Sequence, residues 1–225
     1  MTKSETGSPR EDLRSFGRKR GRKPSARQSW LLRDLLPRVA VDLERPLSGE
    51  GEHWLEIGFG GAEHLVLQAE HRPDVRLIGC EPFEDGVIKA LSAIAEKGLA
   101  NVRIHPGDAR PLLRRLPEGS IARAFVLFPD PWPKRKHAKR RLISPATLAL
   151  LARVLRPGAI LRIATDIGDY ARSTLVAIRQ EKSFRWTATA PADWRTRPAD
   201  WPGTRYEGKA LREGRKCYYF EFKRI

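Results

Sequence analysis

The chain has 225 residues, with 43 Lys and Arg against 27 Asp and Glu, for a net charge of +16. A hydrophobic content of 40% and six tryptophans exclude a disordered chain and suffice for one buried core. The charge points to a polyanionic partner, nucleic acid before membrane surface, and no apolar run approaches membrane-spanning length.

Residues 1–29 are polar and basic, with KRGRK at Lys19–Lys23, and are expected to form a flexible tail. Residues 30–225 are expected to form a single domain. Apolar spacing from Trp30 to Leu43 predicts an amphipathic helix disturbed by Pro37. Strand and helix signals then alternate. His53–Phe59 reads as a strand and Ala62–Glu70 as a helix. Val75–Glu81 is the second strand and Asp85–Lys97 the next helix. Val102–His105 is the third strand, with a short helix near Pro111–Leu116. Ile121–Phe128 is the fourth strand. Ser144–Leu155 is a helix with Pro145 in its first turn. Ile160–Thr165 is the fifth strand and Asp169–Gln180 the helix after it. Tyr218–Lys223 alternates like a terminal strand. The order predicts an α/β, Rossmann-like fold: a mostly parallel central sheet, helices on both faces, and a C-terminal antiparallel strand. Cys80 and Cys217 stand far apart, with no spacing for a disulfide framework or a zinc site. The first residues lack the apolar stretch of a secretory signal, so a cytoplasmic protein is expected.

The first strand runs into LEIGFGGAEHL, where Gly58, Gly60 and Gly61 permit a tight turn and close backbone approach to a ligand. A nicotinamide dinucleotide reading wants a third glycine where Glu63 stands, and Glu56 and Glu63 would oppose a pyrophosphate. S-adenosyl-L-methionine has no phosphate and carries two cationic groups, so acids around the turn favour it. Glu81 ends the second strand, about twenty residues past the glycines, where it suits ribose hydroxyls. Asp108 follows the third strand and suits an adenine amino group. The fourth strand ends in FPDPWPKRKHAKRRL, with Asp130 on backbone stiffened by Pro129, Pro131 and Pro133. Trp132 either stacks on a base or caps the core, the second being slightly favoured. The run that follows contains Lys134, Arg135, Lys136, His137, Lys139, Arg140 and Arg141 and no acid, which suits phosphates.

LEIGFGGAEHL, CEPF, GDAR, FPDPWPKRKHAKRRL, ATD and TRYEGKALREG occur in this order, and by these motifs the chain resembles the bacterial tRNA (guanine-N7-)-methyltransferases. The resemblance runs from about Ser15 to the C-terminus. It implies a class I methyltransferase that uses S-adenosyl-L-methionine to methylate N7 of guanine 46 in the variable loop of tRNA. It implies that Glu56, Gly58, Gly60, Glu81, Asp108 and Asp130 line the cofactor site. Lys134, Asp166, Thr204, Arg205, Tyr206 and Glu207 would contact the substrate, while the charge of the basic run itself points to Lys136, His137, Lys139, Arg140 and Arg141 as RNA contacts. Ala62 and Ala138 depart from a common glycine and a common asparagine. Asp130 is the first choice for the catalytic carboxylate and Asp166 the second. Neither metal nor an obligate protein partner is called for. Two alternatives stay open: an exocyclic-amine methyltransferase, because PDPW is similar to the DPPY-type motif, and a non-catalytic RNA-binding protein on the same fold.

Overall fold

The computed structural model describes residues 24–44, 47 and 51–225; most of the expected tail, residues 1–23, lies outside the described residues. Helix starts earlier than expected. Ser25 and Gln28 form a capping box, each side chain accepting from the other's backbone N–H, and open α1 (Ala26–Trp30). A π-helical turn, Leu31–Leu35, follows, and then α2 (Leu36–Val39). Pro37 lacks an N–H and its ring crowds the carbonyl one turn back, so the ladder widens ahead of it. The helix therefore stops at Val39 instead of Leu43. Beyond it, Val41 donates to the Ile104 carbonyl at 3.0 Å.

The chain then alternates through β1 (His53–Ile57), α3 (Glu63–His71), β2 (Arg76–Cys80), α4 (Glu84–Lys97), β3 (Val102–His105), α5 (Ala109–Arg115) and β4 (Ile121–Leu127). A 3₁₀ turn at Arg135–Arg140 precedes α6 (Pro145–Val154), β5 (Leu155–Thr165) and α7 (Gly168–Glu181). Last come β6 (Phe184–Trp186), α8 (Ala192–Arg195), α9 (Arg205–Arg212) and β7 (Tyr218–Arg224). The sequence pattern did not predict β6, α8 or α9.

The seven strands take the order β3-β2-β1-β4-β5-β7-β6. Strands β1 to β5 pair in parallel; β7 runs antiparallel to β5, and β6 antiparallel to β7. The order reverses between β1 and β4, which opens a crevice at their carboxyl ends. Side chains alternate across the sheet. β4 sends Ala124 and Val126 to one core cluster and Phe125 and Leu127 to the other. Helices cover most of both faces. Where β5 meets β7, buried Trp201 packs edge-on against Tyr219, and the Arg162 guanidinium lies 5.1 Å over its ring. Each large apolar side chain buried in these layers contributes roughly 1.5–3 kcal/mol, so both faces fix the sheet that carries the crevice.

Candidate active site

The carboxyl ends of β1, β2 and β4 surround a cavity of about 390 Å³, a size suited to a ligand of cofactor dimensions. Its floor is the turn after β1. Gly58 and Gly60 have φ of +76° and +55°, in the left-handed region that glycine adopts without a side-chain clash. A Cβ at Gly58 would meet no atom within 4 Å, so the backbone there is bare toward the cavity. Ala62, φ +66°, is left-handed too. That conformation costs an L residue about 1–2 kcal/mol, so alanine here is less mild than its size suggests.

Glu81, at the end of β2, ties two turns together. Its Oε2 accepts the Gly60 N–H at 2.8 Å and its Oε1 the Phe83 N–H at 2.9 Å. Burial pushes this carboxyl above the usual range, and Asp130 and Glu56 add to the shift. Asp108 caps α5, accepting the Arg110 N–H at 2.9 Å, and also stands in the cavity wall. Asp130 opens onto the cavity, yet enough protein surrounds it to push its carboxyl up by desolvation. The backbone around it is strained. Phe128 and Trp132, on either side, have φ of +51° and +42°. The Phe128 N–H is held by the Ala164 carbonyl at 2.8 Å. Strain of this kind in a non-glycine residue persists where the surroundings over-determine it, and it clusters at functional sites.

Trp132 lies in the cavity wall instead of capping the core. Arg140 stacks over its ring at 5.0 Å and His137 meets it edge-on. The 3₁₀ turn thus folds part of the basic run back over the site. Lys134, Lys136 and Lys139 stay exposed.

Four of the expected residues, Glu56, Arg141, Glu207 and Asp166, stand off the cavity wall. Glu56 does not line the cavity: it is 4% exposed, and its Oε2 bonds His64 Nδ1 at 2.7 Å beneath the glycine turn. Arg141 is turned inward. It is 8% exposed and bonds the Pro131 carbonyl, Ser173 Oγ and Asp169, with its guanidinium over the Tyr170 ring. Glu207 is 4% exposed and accepts the Tyr219 hydroxyl on the core side of its helix. Asp166, just past β5, is ion-paired with Arg215 and lies outside the cavity wall. Thr204 caps α9, accepting the Glu207 N–H at 3.2 Å, while Arg205 and Tyr206 do reach the wall.

Two charged wall residues were missed, Lys89 and Arg110. The signals were weak: Arg110 stands two residues past Asp108, and Lys89 shares a helix face with Gly86. The walls combine acids, a bare glycine turn and apolar surface. Cys80 also lines the cavity, but its Sγ donates to the Gly107 carbonyl at 3.0 Å and burial pushes the thiol well up. That is a poor nucleophile. No group of three or more His, Cys, Asp or Glu suited to a metal ion occurs among the described residues. No helix among them is long and apolar enough to cross a membrane. The wall carries Glu81, Asp108 and Asp130 together with Lys89, Arg110, Arg140 and Arg205, and so offers both acceptors and donors to an organic ligand.

Comparison with known proteins agrees with this chemistry. Residues 50–220 match a family model described as "Putative methyltransferase". A tRNA (guanine-N(7)-)-methyltransferase of Rhodospirillum rubrum is 50% identical over 230 residues, covering 96% of this chain and 89% of its own. One of Ruegeria pomeroyi is 48% identical over 240 residues, covering 100% of this chain and 99% of its own. Among solved structures, a 16S rRNA methyltransferase superposes with a TM-score of 0.53 at 15% identity, over 77% of this chain and 88% of that one. At that identity the likeness is one of fold.

Proposed function

The chain belongs to the tRNA (guanine-N(7)-)-methyltransferase family, and from that membership we propose how its cavity serves S-adenosyl-L-methionine-dependent methylation of a tRNA guanine at N7. The walls fit this cofactor. Gly58 leaves the backbone bare, and Glu81, Asp108 and Asp130 offer carboxylates to a ligand that is cationic and carries hydroxyl and amino donors. When bound, the cofactor supplies an electrophilic methyl group on a sulfonium. Glu81 holds the glycine turn and keeps further lone pairs for ribose hydroxyls. Asp108 accepts from the adenine amino group.

Guanine N7 carries a lone pair and no proton, so the site needs no strong base. It must hold the ring in line and stabilise the positive charge that develops on it. Asp130 is the group for this, and its place in the cavity on a strained, proline-stiffened turn is the observation that carries the reading. Its carboxylate also accepts from guanine N1–H or the exocyclic amine. Exposed Lys136 and Lys139, with His137 and Arg140, take RNA phosphates. The basic segment 1–29 adds a further arm to the domain of residues 30–225. The base methylated is guanine 46 of the variable loop, and the setting is the cytoplasm.

Labelled methyl transfer to bulk tRNA, followed by nucleoside identification, tests this reading. N7-methylguanine is expected at position 46, cleavable by mild reduction and aniline. N6-methyladenine, or no transfer, overturns it.

A further inference from the structure

Helix α9 lies against the glycine turn. The Tyr206 ring sits so close over Gly60 that a Cβ there would stand 3.0 Å from its Cε2. The Arg205 guanidinium covers Gly61, and its Nε pairs with Glu63 Oε1 at 3.1 Å. Both side chains also line the cavity. The glycine turn and the first turn of α9 therefore enclose one space between them.

The other side of α9 is anchored in the core. Glu207 and Ala210, three residues apart on one helix face, are buried. Glu207 takes the hydroxyl of Tyr219, which is itself buried on β7 opposite Ala164 of β5. Arg197 Nε stands 3.5 Å from the same carboxylate. A buried carboxylate is costly unless its partners satisfy it, so the Glu207–Tyr219 contact defines one seating for the helix.

We infer that α9 is the roof of the cofactor cavity, with Glu207 and Tyr219 as the positioning residues that hold Tyr206 and Arg205 over the glycine turn. This rests on the cavity being the cofactor site. It moves Arg205 and Tyr206 from the substrate to the cofactor and gives Glu207 a role without substrate contact. A roof affects cofactor affinity in the absence of RNA, and a substrate contact does not.

Calorimetric titration of S-adenosylhomocysteine into the full chain without RNA, beside tRNA binding and thermal unfolding of each variant, separates these roles. Tyr219→Phe and Glu207→Ala should weaken cofactor affinity by about fivefold or more, as expected when a buried hydrogen bond is removed. Glu207→Gln should weaken it less, because its amide oxygen still accepts the Tyr219 hydroxyl. Tyr206 is 48% exposed, so Tyr206→Ala keeps the fold, and it should lose affinity in the same titration. Native cofactor affinity in Tyr206→Ala and Tyr219→Phe, with weakened tRNA binding, overturns the inference. A wild-type chain that fails to bind S-adenosylhomocysteine overturns the cofactor reading, and the roof with it.

Discussion

Ionising the Asp130 carboxyl costs free energy, because the protein around it desolvates the charge and pushes its pKa up. The same charge is what a cationic guanine needs. Replacing Asp130 with Asn should lower kcat by about 100-fold or more, the range for losing a preorganised charge-stabilising group, while tRNA affinity changes little. Single-turnover methylation beside filter binding checks this, and near-native turnover would remove the charge from the mechanism. Stability should move the other way. Below about pH 4, the ordinary aspartate value, the carboxyl is protonated folded or unfolded and costs nothing. As pH rises through the raised folded value, the wild-type chain loses stability. Asp130→Asn should therefore melt at a higher temperature than wild type at pH 7, with the gap closing toward pH 4. Arg141 makes the opposite case. Arg141→Ala leaves the Pro131 carbonyl and Ser173 without their donor and should destabilise the fold by about 2–3 kcal/mol in urea unfolding. The sequence could not separate Arg141 from its neighbours, because a run of cations does not say which one turns inward. Glu81, Asp108 and Asp130 were legible because each follows a recognisable strand end. The partner of Glu56 was not legible, because only the folded helix α3 brings His64 to it.

At the scale of elements, α4 and the glycine turn meet with no room to spare. A Cβ at Gly86 would stand 2.5 Å from the Gly60 carbonyl oxygen and 2.9 Å from Glu81 Cγ. Gly86→Ala should cost about 1–3 kcal/mol by overpacking and weaken cofactor binding, since the displaced atoms belong to the cavity floor. Thermal unfolding and calorimetry on the same sample measure both effects. The parallel strands were legible because each is an apolar run closed by turn residues. β6 was not, since three residues carry no periodicity. α9 hid behind its composition: half of Arg205–Arg212 is charged, with Gly208 inside. Its start was written in the Thr204-x-x-Glu207 spacing, a helix-capping signal.

For the molecule as a whole, the cavity wall is mixed in charge and the turn beyond it is basic. Every carboxylate in the cavity wall shares it with cations, Lys89, Arg110, Arg140 and Arg205, whereas the exposed lysines on the turn beyond it have no acid beside them in the chain. Replacing Lys136 and Lys139 with Ala should flatten the slope of log tRNA affinity against log salt by about 0.7–0.9 for each phosphate left without its cation. Deleting residues 1–23 should flatten it further and leave cofactor binding intact. Titrations across a salt series test both, and unaltered slopes would mean that these cations do not hold the RNA. The fold class followed from strand–helix alternation. The strand order did not, because hydrophobic pattern specifies elements and not their neighbours. One feature of that order bears on how the protein is made. β7 leaves the ribosome after the other six strands, yet it separates β5 from β6 and carries the hydroxyl that Glu207 accepts. A nascent chain that has not yet emerged through β7 has a bare edge on β5, no sheet partner for β6 and a carboxylate waiting for its donor. Such edges are sticky, and long-range pairings close slowly. The growing chain therefore spends its synthesis with an open sheet edge that a chaperone can cover, and gains a seated α9 only when β7 docks.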